Sequence, residues 1–251
     1  FAANPVTGAV TPVDSDAEEL WSLGLSNQKK FFENKKSEIQ LLFETCGMDF
    51  NREKYWLHLT DSERYEVSQR RAQWLGTKTL LIGINTGCGN VISYKKMSLE
   101  SQVLLISKIA QHLPYAQVVL LGGKDETIMN AEIAEQQPQV IQSETNRGLR
   151  DGLQSLAAVD CLISGDSFAM HAGIAFDKFT LAWFGPTCAH EVDFYGNGAA
   201  IKSDFPCSPC WKRDCSKQIM CYEYPYIDGF INQLLKYKIN KELPPEMNVA
   251  P

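Results

Sequence analysis

From residue 76 onward, apolar runs alternate with glycine-bearing loops and amphipathic segments, and this alternation constrains the fold more than any other feature. The run at 79–84 is apolar throughout, as expected of a strand covered on both faces. Residues 98–113 carry apolar side chains at helical spacing. The same order recurs to residue 184 and predicts an α/β fold with a doubly wound parallel sheet. Further strands are predicted at 117–121, 140–141, 161–164 and 180–184, and further helices at 125–136, 149–159 and 167–175.

The first 75 residues lack this alternation. Pro, Gly, Asp and Ala are frequent in residues 1–20, which indicates a loop or linker. Apolar residues recur at helical spacing further on, and hydroxyl or acidic residues stand where a cap would be needed. The patterns predict a helix at 26–47 ending at Gly47, a short strand at 55–59, and a helix at 61–75 capped by Thr60 or Asp61.

Charge and hydropathy argue against a nucleic-acid-binding protein and against a membrane-spanning helix. The chain of 251 residues has a net charge of −6, with 24 Lys and Arg against 30 Asp and Glu, so we expect no nucleic-acid partner. No apolar run approaches the roughly 18 residues of a membrane-spanning helix. Positive charge is only local, at 95–96 and 212–213, which suits a small anionic ligand.

Ligands of parallel sheets bind beyond the carboxyl ends of the strands. The segment at 162–171 combines a strand, a turn at Gly165 and a helix start. There, Ser167 and the first backbone N–H groups favour an anion, and His171 lies on the same helix face. The alternative is that Asp166 is an ordinary helix cap and His171 a core residue. The segment matches neither a G-x-G-x-x-G fingerprint nor a P-loop.

Two further loops offer polar groups at the same edge. Asn85, Thr86 and Gly87 end the first strand, and Lys95, which follows, could neutralise a diphosphate or be a surface lysine. Gly122 and Gly123 permit close backbone approach. Glu126 could accept hydrogen bonds from ribose hydroxyls or complement the dipole of its helix.

Four segments in this order resemble the ADP-heptose:lipopolysaccharide heptosyltransferase family: Asn85-Thr-Gly with Lys95, Leu120-Leu-Gly-Gly with Glu126 and Asn130, Ser164-Gly-Asp-Ser with His171, and Phe184-Gly-Pro-Thr. The resemblance implies two Rossmann-like domains in the GT-B arrangement. It implies that residues 76–251 form the nucleotide-sugar-binding domain, with a cysteine-rich loop at 206–221. Residues 1–75 would then be the tail of the acceptor domain with linker helices.

The resemblance also implies roles for single residues. Asn85, Thr86, Gly87 and Lys95 would contact the donor phosphate or sugar. Glu126, beside Gly122 and Gly123, would bind the ribose, and Asp166 the sugar. Ser167 and His171 would hold the diphosphate, and the segment from Arg147 to Leu149 would line the adenine pocket. Two departures from the family pattern are Phe168, where glycine is frequent, and Met97, where tryptophan is frequent.

The implied reaction is inverting transfer of a heptose-like sugar, without a cofactor, from ADP-heptose or another nucleotide sugar to a lipopolysaccharide-core or other glycan acceptor. It would occur in the cytoplasm at the inner-membrane face, with peripheral membrane contact through the acceptor. The family's N-terminal strand and loop have no counterpart in residues 1–75, so the carboxylate base is expected outside this chain. Because the chain starts at Phe1 rather than Met, we interpret it as a fragment and expect it to be inactive alone. A non-catalytic nucleotide-binding module is the alternative.

Four cysteines lie within 15 residues: Cys207, Cys210, Cys215 and Cys221. Their spacing is compatible with tetrahedral zinc. An iron–sulfur cluster is a second option, although the spacing matches neither common ferredoxin pattern. Two local disulfides or free thiols are the other options. The implied chemistry needs no metal there, so a structural role is favoured over a catalytic one. A metal-binding interaction domain is a third hypothesis for the chain.

Overall fold

The fold is a computed structural model that describes residues 2–3, 10–11 and 15–242, and it divides into two units. The first, here called the helical unit, comprises residues 1–54 and 188–193. The second, the sheet unit, comprises residues 55–187 and 194–251. The assignment of residues 1–75 to the tail of an acceptor domain stays a prediction.

Within the helical unit, residues 26–47 form two short helical segments rather than the one long helix predicted there, and that prediction is wrong. Two residue pairs form a small antiparallel contact, β1 (Ala2–Ala3) with β2 (Val10–Thr11). The helical segments are α1 (Glu18–Leu25), a π-helical turn (Lys29–Glu33) and α2 (Glu38–Thr45).

The break between these segments has a local cause. The Asn34 side chain accepts from the Lys36 N–H and donates to the Lys36 carbonyl, each at 3.0 Å, which replaces helical hydrogen bonds with a turn. Ser37 then caps α2 by accepting from the Gln40 N–H. The loop predicted at 1–20 is wrong over its last residues, where α1 begins, and residues 1, 4–9 and 12–14 of that prediction lie outside the described residues.

The sheet unit opens with α3 (Asp61–Leu75), which confirms the predicted helix. Its cap is Thr60, whose hydroxyl accepts from the Glu63 N–H while the Glu63 carboxylate accepts from the Thr60 N–H. The strand predicted at 55–59 is wrong. The segment pairs with none of the strands in the described ranges, and it contributes Leu57 to the cluster that α3 also contacts through Trp74.

Six parallel strands form one sheet in the order β5-β4-β3-β6-β7-β8. This confirms the predicted α/β doubly wound fold. The strand order reverses between β3 and β6, which makes this the switch point where ligands of such sheets bind. The strands are β3 (Leu80–Asn85), β4 (Ala116–Leu121), β5 (Ile141–Gln142), β6 (Cys161–Gly165), β7 (Phe179–Phe184) and β8 (Gly198–Lys202); the helices are α4 (Leu99–His112), α5 (Thr127–Gln136), α6 (Leu149–Ala157), α7 (Phe168–Ala175) and α8 (Ile227–Glu242).

Helices cover both faces of this sheet, because alternate strand residues point to opposite sides. Leu80, Ile82 and Ile84 of β3 belong to a cluster with residues of α4, α5 and α8. Leu81 belongs to the opposite cluster with residues of α6 and α7. The last strand and helix, β8 and α8, were not predicted. No helix in the described ranges has the length and apolar character needed to cross a bilayer.

Candidate functional site

A cavity of about 530 Å³ opens at the carboxyl ends of β3, β4 and β6, beside the switch point. That volume lies within the range of small-molecule sites, roughly 300–1,000 Å³. The cavity is bounded by the loops that follow these three strands and by the start of α6. Seven of the residues predicted to bind a donor line it: Asn85, Gly87, Gly122, Gly123, Glu126, Leu149 and Ser167.

Asn85, the last residue of β3, ties the two loops at the switch point together. Its amide nitrogen donates to the Gly87 carbonyl at 2.8 Å and lies 3.2 and 3.3 Å from the hydroxyl oxygens of Ser164 and Ser167. Those two hydroxyls lie 2.9 Å apart. Ser167 is also the N-cap of α7, and its side chain does not cap the helix. The site therefore presents a hydroxyl beside the positive end of a helix, which favours an anion.

The loop containing Lys95 is packed against Gly165. A Cβ atom on Gly165 would lie 2.2 Å from the Lys95 carbonyl oxygen, so only glycine fits there. The Lys95 ammonium forms an ion pair with Asp166 at 3.2 Å, and both side chains are largely buried. Neither residue lines the cavity. Lys95 thus lies next to the predicted diphosphate position but is held by a carboxylate.

Glu126 fills the gap between the loops after β3 and β4. Its carboxylate accepts from the Gly123 N–H at 2.8 Å. A Cβ atom on Gly87 would lie 2.0 Å from the carboxylate, and one on Gly122 would lie 2.6 Å from the Glu126 Cβ. The two glycines are therefore required for this close approach, and the carboxylate lies at the cavity wall between them.

His171 and Thr86 do not line the cavity. The Nδ1 atom of His171 lies 3.0 Å from the Tyr55 hydroxyl. Thr86 is fully buried, and its hydroxyl lies 2.5 Å from Asn130 Oδ1 and 3.2 Å from the Leu121 carbonyl. In the structure Thr86 connects the end of β3 to β4 and α5, and the predicted contact with a donor stays a prediction.

Several lining residues were not singled out from the sequence. Lys124 brings a positive charge, and Thr145 and Asn146 bring polar groups. Gly152 also lines the cavity, and a Cβ atom there would have nothing within 4 Å. A glycine inside a helix is unfavourable and signals a packing or functional requirement, so Gly152 could have been found. The remaining wall is apolar and includes Leu153, Leu156, Phe168 and Ala169.

The model of glycosyltransferase family 9 (heptosyltransferase) matches residues 36–220, which is more than half of the chain. The chain belongs to glycosyltransferase family 9. This confirms the family identified from the four loop segments.

Individual relatives are similar to this family-9 chain in sequence over a short stretch or in fold. A 64-residue stretch is 38% identical to lipopolysaccharide heptosyltransferase 1 of Pseudomonas aeruginosa, covering 25% of this chain and 18% of that protein. The fold is similar to that of E. coli ADP-heptose lps heptosyltransferase II, with a TM-score of 0.52, 17% identity and coverage of 73% of this chain and 54% of that one. For a family-9 glycosyltransferase of Veillonella parvula, the TM-score is 0.54 and the identity 17%, over 84% and 53% of the two chains. The chain spans about half the length of these two structures.

The cysteine-rich loop of this family-9 chain supports the loop after β7. The N–H groups of Cys210 and Trp211 both donate to the Pro186 carbonyl, at 3.0 and 2.8 Å. A Cβ atom on Gly185 would lie 2.8 Å from the Cys221 sulfur. These contacts fix the Gly-Pro-Thr segment at the sheet edge, which is consistent with a structural role for the loop.

All four cysteines of this loop are free thiols in the structure. Burial, and then the neighbouring thiols Cys210, Cys207 and Cys215, raises the pKa of Cys221 to about 11. The thiols are therefore close enough to influence one another. In the described part of the chain, however, they do not form a group with three ligand atoms within 4.8 Å of one another. Zinc or iron–sulfur binding at this loop stays a prediction.

Proposed function

We propose that this chain binds the nucleotide-sugar donor in a transferase that moves a heptose-like sugar from ADP-heptose, or another nucleotide sugar, to a lipopolysaccharide-core or other glycan acceptor. The cavity at the switch point is the observation that supports this most strongly, because seven residues predicted to bind a donor line it together. Family membership supports a transferase, and one protein of similar fold is named as an ADP-heptose heptosyltransferase.

In this proposal the donor spans the cavity from its apolar to its polar end. The adenine lies against Leu149 and Phe168, which are both strongly exposed in the cavity wall. Apolar surface and an aromatic face are what a base requires. The ribose reaches Glu126, whose carboxylate is an acceptor for hydroxyl groups. The diphosphate then lies at Ser167 and the first N–H groups of α7.

The reaction we propose is an inverting displacement. An acceptor hydroxyl attacks the anomeric carbon, the bond from that carbon to the diphosphate breaks, and a carboxylate outside this chain takes the proton. Charge builds up on the departing diphosphate, so this chain contributes by stabilising that charge. Lys95 exchanges Asp166 for a phosphate oxygen, and Asp166 becomes available to a sugar hydroxyl. The acceptor implied by the family would place the reaction at the cytoplasmic face of the inner membrane.

His171 has a defined part in this arrangement. If the Tyr55 hydroxyl donates to Nδ1, the proton of the neutral imidazole lies on Nε2. That N–H can then donate to a phosphate oxygen near Ser167, which precedes His171 by one helical turn. Calorimetry with ADP tests this part, because His171→Ala should weaken binding.

Gly152 offers a direct test that the cavity holds the nucleotide. Gly152→Leu fills the cavity from the α6 side without meeting another atom at Cβ, whereas Gly152→Ala adds only a methyl group. We expect ADP affinity, measured by calorimetry on this chain, to fall at least about tenfold in the leucine variant. The alanine variant should bind nearly normally and gain stability of roughly 0.5–1 kcal/mol, because alanine is the better helix former.

Unchanged ADP binding in a folded Gly152→Leu variant would show that the nucleotide does not bind in this cavity.

A second measurement separates the enzyme from a non-catalytic nucleotide-binding module. Transfer from ADP-heptose and other nucleotide sugars is assayed with the full-length gene product and with its Gly152→Leu variant. Turnover that disappears in the variant supports the transferase, and nucleotide binding with no turnover for any donor supports the binding module.

A further inference from the structure

A second group of chemically active side chains lies in the helical unit, apart from the residues discussed so far. The chain makes a 3₁₀ turn at Ala189–Glu191, with Cys188 at its N-cap. One sulfur, one imidazole nitrogen and one carboxylate oxygen, from Cys188, His190 and Glu191, all lie within 4.8 Å of one another. In the described part of the chain, no other three His, Cys, Asp or Glu side chains bring their ligand atoms this close together.

The three ligand types and their spacing suit zinc. Zinc binds thiolate, imidazole and carboxylate at about 2.0–2.3 Å in a tetrahedron, which places ligand atoms roughly 3.3–3.8 Å apart. The three ligand atoms lie within 4.8 Å of one another, which exceeds the upper end of that spacing by at most about 1 Å. Magnesium and calcium prefer all-oxygen ligand sets, so a sulfur–nitrogen–oxygen set does not suit them.

Lys30 provides the outer contacts that a metal-binding histidine usually has. The Nε2 atom of His190 lies 3.0 Å from the Lys30 carbonyl oxygen. A carbonyl can only accept, so Nε2 carries the proton, and Nδ1 of the neutral ring carries the lone pair that binds a metal. A hydrogen bond of this kind fixes the ring and its tautomer in many zinc sites.

The charges around the turn are also compatible with a divalent cation. A Cys188 thiolate and the Glu191 carboxylate would carry two negative charges, and the Cys188 side chain is almost fully buried. The Lys30 ammonium lies 3.3 Å from Glu191 Oε1. One carboxylate oxygen can bind the metal while the other keeps Lys30, so both cations can be accommodated. The lysine nevertheless weakens the attraction for the metal.

We propose that Cys188, His190 and Glu191 bind one zinc ion, with water as the fourth ligand. The ion brings no catalytic step. Its role is structural, because it braces the turn at 188–193 against the Lys29–Glu33 segment through the His190 contact. The proposal does not depend on the proposed sugar transfer.

The test uses the whole chain under reducing conditions, with zinc for affinity and cobalt(II) as a spectroscopic probe of thiolate ligation. The unmodified protein should bind one zinc ion, show a thiolate-to-cobalt charge-transfer band and melt at a higher temperature when zinc is added. Cys188→Ala should lose the band. His190→Ala, at a partly exposed position, should bind zinc at least about tenfold more weakly. Lys30→Met should tighten zinc binding.

Controls separate this turn from the cysteine-rich loop. The double variant Cys210→Ser, Cys215→Ser and the exposed-histidine variant His58→Ala should both keep the band and the stoichiometry. Circular dichroism checks that each variant is folded. The proposal is overturned if the unmodified protein binds no zinc. It is also overturned if the band survives in Cys188→Ala, or if full zinc affinity survives in His190→Ala.

Discussion

The two sides of the switch point are built differently. On the cavity side the walls depend on glycines: Gly87 and Gly122 make room for Glu126, and Gly152 leaves space that no side chain fills. On the other side the polar side chains are held in contacts: Lys95 pairs with Asp166, and His171 contacts Tyr55. The cavity is thus shaped by the backbone before a ligand arrives. On the other side, Lys95 must first leave Asp166.

The largest expected effect comes from the glycine that joins the two sides. Gly165→Ala forces a Cβ atom to within 2.2 Å of the Lys95 carbonyl oxygen, and backbone cannot move aside as a flexible side chain can. We expect a loss of roughly 1–3 kcal/mol in the free energy of unfolding, typical of overpacking, measured by urea denaturation. ADP binding should weaken as well, because the Lys95 loop is displaced.

Gly89→Ala is the matched control for this prediction. Gly89 also lines the cavity, but a Cβ atom there has nothing within 4 Å. The free energy of unfolding of the Gly89→Ala variant should stay within about 0.5 kcal/mol of that of the unmodified protein. Equal stability losses in the two variants would contradict the view that close backbone packing shapes this edge of the sheet.

The next effect tests whether the paired charges exchange partners. Lys95→Met should weaken ADP binding about tenfold, or about 1.4 kcal/mol, because a cation beside the diphosphate is lost. Asp166→Asn should have the opposite sign and tighten ADP binding, since it releases Lys95 and removes a negative charge. Calorimetry at low salt measures both.

Lys124→Met is the control on the cavity side. Lys124 lines the cavity but is exposed, so solvent and salt screen its charge and the loss of affinity should be smaller. Weaker ADP binding in Asp166→Asn would show that the carboxylate supports the site instead of competing with the phosphate. Equal losses of ADP affinity in Lys95→Met and Lys124→Met would contradict the view that the buried charge contributes more than the exposed one.

The same contrast explains what the sequence could predict. Apolar runs and helical spacing are local signals, so β3, β4, β6 and β7 and the helices between them were predicted to within a few residues. The position of the loops at 85–87 and 164–167 beside one another was predicted from these strands, because the carboxyl ends of parallel strands share one edge of the sheet. The wall residues Lys124 and Asn146 belong to the cavity only because segments that are distant in the sequence meet there.

The failures have equally specific causes. The helix predicted at 26–47 had the right spacing, but the hydrogen bonds of Asn34 to Lys36 end it. The partners of Lys95 and His171 are Asp166 and Tyr55, which lie 71 and 116 residues away along the chain. No local pattern encodes such pairs.

The smallest expected effect concerns a charged pair at the rim of the cavity, next to Leu149. Arg150 donates to both carboxylate oxygens of Glu63, so α6 is linked to the capped end of α3. The Arg150 guanidinium, and then the Thr60 backbone N–H, lowers the pKa of Glu63 from 4.5 to about 2. The carboxylate therefore stabilises the fold above about pH 4.5, and this contribution is lost as the pH falls towards 2.

Urea denaturation of the original protein and Glu63→Gln measures this contribution. The difference in free energy of unfolding should be constant from pH 7 to 5 and should shrink between pH 4.5 and 2. It should be small, because pairs in contact with solvent are screened. Glu66 is exposed on the same helix, and for Glu66→Gln the difference in free energy of unfolding from the original protein should not shrink over this pH range. A difference that persists at pH 2 would mean that Glu63 acts through packing rather than charge. The rim would then resemble the cavity wall, where packing sets the shape, more than the Lys95–Asp166 side.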